Sequence, residues 1–171
     1  TQHHHGAMPA HSTHVVHTQI RSPRVSAMPM EPRACSAQVH EAPADGPHRI
    51  TVWLGTQTPS RAQADVARVL QIPAEQVRLI SPDVGGAFGA KASVSPEDLL
   101  TALTAQHLQR NVQWLASRSD DFVAGMQGRG SVLEGRLHVN AQGGLEGLWA
   151  RLHFTLGAWL PFSAVVQIGR A

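Results

Sequence analysis

Hydrophobic positions along this chain change their period several times, and each change marks an element. Ile50, Val52 and Leu54 alternate with Thr51 and Trp53, a period of two that predicts a strand from Arg49 to Leu54. Ala34–Val39 reads as a second short strand. The stretch between them, Ala42-Pro43-Ala44-Asp45-Gly46-Pro47, has the composition of a turn, so the two strands are expected to form a hairpin. After Gly55 the period lengthens. Ala62, Val66, Val69 and Leu70 recur on one helical face, with Thr58 at the cap position, Pro59 first in the helix and Ile72-Pro73 as the stop, which predicts a helix from about Pro59 to Leu70. Gln76–Ile80 follows as a third strand. Ser95-Pro96-Glu97-Asp98 announces a second helix, with Ser95 as cap, Asp98 as the acid of a capping box and Leu99, Leu100, Leu103 and Leu108 as its expected buried face. Val112–Leu115 predicts a fourth strand, and Ser117–Asp121 is a polar turn that caps a helical turn around Phe122. Ser131–Val139 and Leu145–Leu156 are longer strands flanking Asn140-Ala141-Gln142-Gly143-Gly144, which has the glycines of a tight hairpin turn. The expected architecture is α+β: a mixed β-sheet with two helices packed on one face, in β-β-α-β-α-β order, followed by a β-hairpin.

The ends of the chain lack such periods. Residues 1–19 hold six of the eleven His (His3, His4, His5, His11, His14, His17) and are expected to form a flexible tail. Two origins stand for it. Three consecutive His before Gly6-Ala7-Met8 have the form of an expression tag with its scar, whereas His14 and His17, at a helical i, i+3 spacing, suit a native metal site. The stretch has neither the charged nor the apolar region of a signal peptide. Pro23, Pro29 and Pro32 exclude a helix interior around 28–32. At the other end the apolar stretch from Leu156 to Val166, with Trp159 and Phe162, leads to an expected truncated end over 161–171 and to self-association. One domain is expected over 20–160, since 171 residues are ample for one core and few for two.

Composition narrows the function. With 42% hydrophobic and 15% charged residues and no apolar run near the roughly 18–20 residues of a membrane span, no spanning helix is expected. A net charge of +2 is no nucleic-acid footprint. Cys35 is alone, so this chain by itself makes no internal disulfide and holds no iron–sulfur cluster.

The unusual segment is the loop of residues 83–91. Gly85, Gly86 and Gly89 let the backbone take positive φ and approach a ligand, so that successive N–H groups converge on phosphate or oxo oxygens. It is not a nucleotide P-loop, because Ala90-Lys91-Ala92 replaces Gly-Lys-Ser/Thr. The dinucleotide fingerprint fails as well, because the next helix begins only at Pro96. Spacing alone leaves a structural Gly-rich turn and a ligand loop both open. Phe88, set between glycines, either packs on the domain or faces a ligand. Gln57, at a strand end before a helix cap, either makes a local turn bond or donates its amide to a ligand oxygen.

Four motifs in order carry a family resemblance. Met30-Glu31-Pro32-Arg33, Val52-Trp53-Leu54-Gly55-Thr56-Gln57-Thr58-Pro59, Ile72-Pro73 and Asp83-Val84-Gly85-Gly86-Ala87-Phe88-Gly89-Ala90-Lys91 resemble the large subunit of molybdenum hydroxylases, the family of xanthine dehydrogenase, aldehyde oxidase and carbon monoxide dehydrogenase. Ser117-Arg118-Ser119-Asp120 and the hairpin of 131–156 are similar too, so the likeness covers roughly residues 20–160. It implies part of the region that binds the molybdenum–pterin cofactor, in an oxidoreductase that hydroxylates aldehydes or N-heterocycles with oxygen from water. By the same resemblance Gln57 donates to an oxo ligand of molybdenum, Phe88 stands near the substrate, and Gly85, Gly86, Ala87 and Gly89 offer backbone contacts to the cofactor.

The chain also departs from that pattern. Family members usually have Gly at the position of Ala87, where a positive φ would cost an L-residue about 1 kcal/mol. Ala92 replaces the acid with which purine-oxidising relatives hold the heterocycle, so purine is a poor substrate expectation. No catalytic residue is expected in this chain. The family's general base is a glutamate expected outside it, and Asp83, Glu97 and Asp98 read as a turn former and helix N-terminal residues. The chain is therefore expected to be a fragment that is inactive alone. Its expected partners are the rest of the large subunit, an iron–sulfur subunit and a flavin subunit that carry those cofactors, in the cytoplasm or, as the alternative, the periplasm. The competing reading is a stand-alone, cofactor-free α+β domain with a structural or interaction role.

Overall fold

The structure, a computed structural model, describes residues 9, 12, 14–40 and 49–156. Its elements in chain order are β1 (His14–Ser22), β2 (Val25–Ser26), β3 (Ala34–Val39), β4 (Ile50–Leu54), α1 (Pro59–Leu70), β5 (Val77–Ile80), α2 (Pro96–Leu108), β6 (Val112–Leu115), α3 (Arg118–Ala124), β7 (Gln127–Gly128), β8 (Ser131–Val139) and β9 (Leu145–Phe154). Where the sequence pattern predicts one domain over 20–160, the described residues fall into two compact units. Residues 26–126 make one, and the residues up to 25 with those from 127 onward make the other.

In the first unit the strands lie in the order β5-β4-β3-β6. β4 pairs in parallel with β5 across the α1 crossover, and β3 is antiparallel to both β4 and β6, so the sheet is mixed as expected. The register lines up Val77 with Ile50, Leu79 with Val52, Val52 with Ala37, and Ala37 with Val112 on one face. α1 and α2 cover that face and touch each other. Val52 and Val77 are wholly buried at its centre, and a fully buried side chain of this kind stabilises by roughly 1.5–3 kcal/mol.

Helix α1 follows its predicted face in Ala62, Val66 and Leu70. Thr58 sits at its N-cap without a side-chain cap bond, because the hydroxyl donates instead to the Ala92 carbonyl at 3.0 Å. α2 turns the other way from expectation. Leu100, Leu103 and Leu108 are 58%, 40% and 55% exposed, only Leu99 packs against the core, and the buried face is Asp98, Thr101, Ala102 and Ala105. α2 lies on β3, whose inward side chains are the small Cys35 and Ala37. Small residues on both sides let helix and sheet approach closely, and a leucine there would overfill the gap. The capping box of Ser95 and Asp98 forms as predicted, and Ser117 with Asp120 repeats it at α3.

The second unit is an antiparallel sheet in the order β1-β8-β9. β8 and β9 form the predicted hairpin, with Gly143 at φ +82 and the Asn140 side chain accepting from the Gln142 and Gly144 amides. The expected tail is shorter than 1–19, because β1 starts at His14 and pairs along β8 from His14↔Val139 to Ser22↔Ser131. In a strand, residues three apart point to opposite faces, so His14 and His17 are not a metal-binding pair. Among the described residues, no group of three or more His, Cys, Asp or Glu could hold a metal ion. In register, Val16, Leu137 and Leu148 share one face with Ile20, Leu133 and Leu152. The other face carries Arg136 and Arg151 over the Trp149 ring at 4.9 and 5.2 Å. His3, His4, His5 and His11, the turn of 42–47 and the apolar end of 161–171 lie outside the described residues. No helix among the described residues is long and apolar enough to cross a membrane.

The inverted face of α2 is testable by urea unfolding. Ala105→Leu should cost about 1–3 kcal/mol by overpacking. Leu100→Ala should change stability by about 0.5 kcal/mol or less. The reverse order would return the leucines to the core.

Candidate functional site

Three stretches distant in sequence, 28–33, 55–58 and 85–92, meet beyond the end of β4. Backbone and hydroxyl bonds join the second to the third: the Gln57 N–H and the Thr56 Oγ1 both donate to the Lys91 carbonyl, at 3.0 and 3.1 Å. Ser81, at the end of β5, braces the same turn by accepting from the Thr56 N–H at 3.3 Å and donating to the Thr56 carbonyl at 3.2 Å. Glu31 joins the first stretch to the third. Its N–H donates to the Gly85 carbonyl at 3.0 Å, and its Oε2 accepts from the Gly85 N–H at 2.9 Å and from Lys91 Nζ at 2.5 Å.

The physical demand at this junction comes from Lys91, which is only 5% exposed. A lysine at that depth needs an ionised partner, because an unpaired buried ammonium is strongly disfavoured. Glu31 supplies it, and the hydrogen bond from Lys91 holds the Glu31 carboxyl below its ordinary range against the opposing pull of desolvation. Gly85 is required by closeness, since a Cβ there would lie 2.6 Å from the Glu31 Cβ.

Beyond Gly85 the loop alternates in handedness. Gly86 and Gly89 have φ of +95 and +84, Phe88 has +50, and Ala87 keeps an ordinary φ, so the departure from Gly at 87 brings no left-handed strain. That strain falls on Phe88, a non-glycine residue in the αL region. Its ring is 76% exposed, so of its two predicted fates packing on the domain is not the one taken. The N–H of Gly85 is held by Glu31 and that of Gly86 by the Val84 carbonyl, while Ala90 and Ala92 donate back into the loop. Among the described residues, the N–H groups of Ala87, Phe88 and Gly89 have no acceptor, and a Cβ on Gly89 would meet nothing within 4 Å. The exposed Gln57 side-chain amide likewise makes no hydrogen bond among them. Consecutive free backbone donors beside αL residues form a concavity suited to an anionic or oxo group, and a free carboxamide adds a neutral donor. Gln57, Gly85, Gly86, Ala87, Phe88 and Gly89 thus all belong to segments that this junction joins.

The remaining titratable groups nearby are committed elsewhere. Arg33 donates to Glu97 and Asp121, both at 2.9 Å, and lies over the Trp114 ring at 5.3 Å. Asp98 is buried in its capping box, and desolvation raises its carboxyl. Burial pushes the Cys35 thiol up to about 12, which leaves it neutral and inert as a nucleophile. Asp83 is exposed at the loop entrance. Behind the loop, Glu31, Arg33, Thr56, Lys91, Ser95 and Asp98 line a cavity of about 20 Å³. That is room for a water and not for a substrate, so the chemistry faces outward from the loop. Glu31 and Lys91 stand in two of the quoted motifs, but their pairing had no signal in the sequence beyond opposite charge.

The family model described as the molybdopterin cofactor-binding domain matches residues 4–170. The nicotine 6-hydroxylase large subunit of Paenarthrobacter nicotinovorans is 33% identical over 81% of this chain and 16% of its own length. The molybdenum-binding subunit of an aldehyde oxidoreductase of Escherichia coli K12 is 37% identical over 57% of this chain and 12% of its own. Among solved structures, quinoline 2-oxidoreductase of Pseudomonas putida 86 superposes with a TM-score of 0.77 at 34% identity, over 84% of this chain and 18% of that one. This chain thus spans about a sixth of the nicotine 6-hydroxylase subunit's length.

The Lys91–Glu31 pair predicts a pH effect. Because the folded Glu31 carboxyl titrates below its ordinary value of 4.5, its contribution is complete above that pH and is lost as pH falls through the lower folded value. Glu31→Gln should cost about 1–3 kcal/mol at neutral pH by leaving the Lys91 charge without a counter-ion. The difference from wild type should shrink below pH 4.5 in acid-unfolding curves.

Proposed function

This chain belongs to the family of molybdopterin cofactor-binding domains, and we propose that its residues 55–58 and 85–92 form one wall of the cofactor site in a molybdenum hydroxylase acting on N-heterocycles or aldehydes. The observation that carries the reading is the set of donors unpaired among the described residues: three consecutive loop N–H groups and the Gln57 side-chain amide, on segments tied together by the buried Lys91 and its partner Glu31. The donor set fits the acceptor groups of the cofactor, because its phosphate and the oxo ligands of its metal are oxygens that free N–H groups and a carboxamide can receive.

When bound, the cofactor supplies the redox centre at which a C–H bond is exchanged for a C–O bond with oxygen from water. The chain's own part is binding and orientation. Gln57 donates to an oxygen ligand of the metal. The N–H groups of Ala87, Phe88 and Gly89 take the cofactor's acceptor edge, and the Phe88 ring borders the place of the substrate. Ala92 offers no charge to a purine, and its carbonyl is already engaged by Thr58. This favours aldehydes and simpler N-heterocycles, the class to which the substrates named for nicotine 6-hydroxylase and quinoline 2-oxidoreductase belong. The base that takes up the proton is assigned to other parts of a longer polypeptide, because Asp98 is spent on its helix cap, Glu97 is paired with Arg33, and Asp83 stands exposed at the loop entrance with no hydrogen bond to orient it among the described residues. Iron–sulfur and flavin centres on partner subunits would take the electrons. The subunit designations of the relatives support partner subunits as such.

The test is the molybdenum and pterin content of the full-length protein made in cells that synthesise the cofactor. Near-stoichiometric amounts are expected, and none would overturn the reading. Gln57→Ala should keep the cofactor and lower kcat by about 10²-fold, the loss typical of one preorganised donor. Quinoline-type substrates or benzaldehyde should be turned over in preference to xanthine.

A further inference from the structure

We propose that Arg118 is a positioning residue for the Gly-rich loop, acting through the segment 28–31. Its importance for function rests on the cofactor reading above. Arg118 is the first residue of α3, and its guanidinium reaches away from the helix to two successive carbonyls: Nη1 donates to Pro29 O and Nη2 to Met30 O, both at 2.8 Å. Nη1 also lies 3.9 Å from the Met28 sulfur. Met28 itself is held at φ +39, a left-handed conformation that a non-glycine residue keeps only when its surroundings impose it. Directly after Met30 comes Glu31, which exchanges two hydrogen bonds with Gly85. Pro29 lies so close to Gly86 that a Cβ on Gly86 would be 3.3 Å from the Pro29 Cβ. One clasp on two carbonyls therefore fixes the strand of backbone on which Gly85 and Gly86 rest, and through them the directions of the free N–H groups at 87–89.

A role in α3 itself does not explain this geometry. The helix is capped by Ser117 and Asp120 without Arg118, and the guanidinium meets Asp121 only at 3.8 Å. A planar fork matches two acceptors in fixed directions, which the single ammonium of lysine cannot do. The charge on Arg118 is thus secondary to its shape.

Amide hydrogen exchange on the full-length protein prepared without cofactor, comparing wild type, Arg118→Lys and Arg118→Gln, tests the role. Exchange at Glu31 and Gly85 should be about 10-fold faster in both variants while Val52 and Val66, in β4 and α1, keep wild-type protection. Molybdenum retention on dilution of the loaded enzyme should fall in both variants. Unchanged protection at Glu31 and Gly85, or full restoration by lysine, would overturn the proposal. If Arg118→Gln loosens the core as well, the milder Arg118→Lys decides, because a purely electrostatic or folding role is satisfied by lysine and the fork is not. Since exchange is read without cofactor, a wild-type enzyme that carries no molybdenum would sink the cofactor reading and leave the positioning result standing.

Discussion

A buried lysine organises this site. Lys91 cannot rest at its depth without an ionised partner, and Glu31 cannot reach it without drawing the 28–31 segment against Gly85. The Lys91 backbone carbonyl at the same time accepts from the Thr56 hydroxyl and the Gln57 backbone N–H, so the strand end that carries Gln57 is tied to the same residue. Glycines have no side chains with which to pack, and a loop rich in them gains little from hydrophobic burial. Its position is set by polar bonds at its root, and the free donors at its tip follow from that root.

The scaffold under the site is built for close approach. α2 lays alanines and a threonine on Cys35 and Ala37, which brings the helix near the sheet, and its start is fastened by the Ser95–Asp98 box and by Arg33 on Glu97. Arg33 also binds Asp121 in α3 and covers Trp114 in β6, so one guanidinium joins the entry to β3 with two helices and a strand. Arg118 does the equivalent for the segment just before it. Arginine suits both places because its donors diverge in a plane and several acceptors are satisfied at once.

The same burial that shapes the unit silences its titratable groups as catalysts. The thiol of Cys35 is kept neutral, Asp98 is spent on a helix cap, and Glu97 is spent on Arg33. What remains available at the loop tip, among the described residues, is a row of hydrogen-bond donors. Such a surface is suited to binding and orienting an acceptor group.

Much of the fold was legible from local patterns. Periods of two and 3.6, proline at helix starts and the Ser95–Asp98 capping box mark β3, α1, α2, β6 and β8 almost to the residue, because these signals depend on neighbours a few positions away. The glycine motif likewise marked a loop of alternating handedness, since readiness for positive φ is a property of glycine itself. Which face of α2 is buried was not legible: leucines and alanines surround that helix, and only the small side chains on β3 decide which set fits. The strand at His14–Ser22 was hidden because its hydrogen bonds go to β8, more than a hundred residues away. The Lys91–Glu31 pair and the clasp of Arg118 on 29–30 were settled only by tertiary structure, because each links segments that are brought within hydrogen-bond reach by the packing of the sheet and helices and by nothing in the local sequence, and the left-handed strain falls on Phe88 and not on Ala87 in the loop so held.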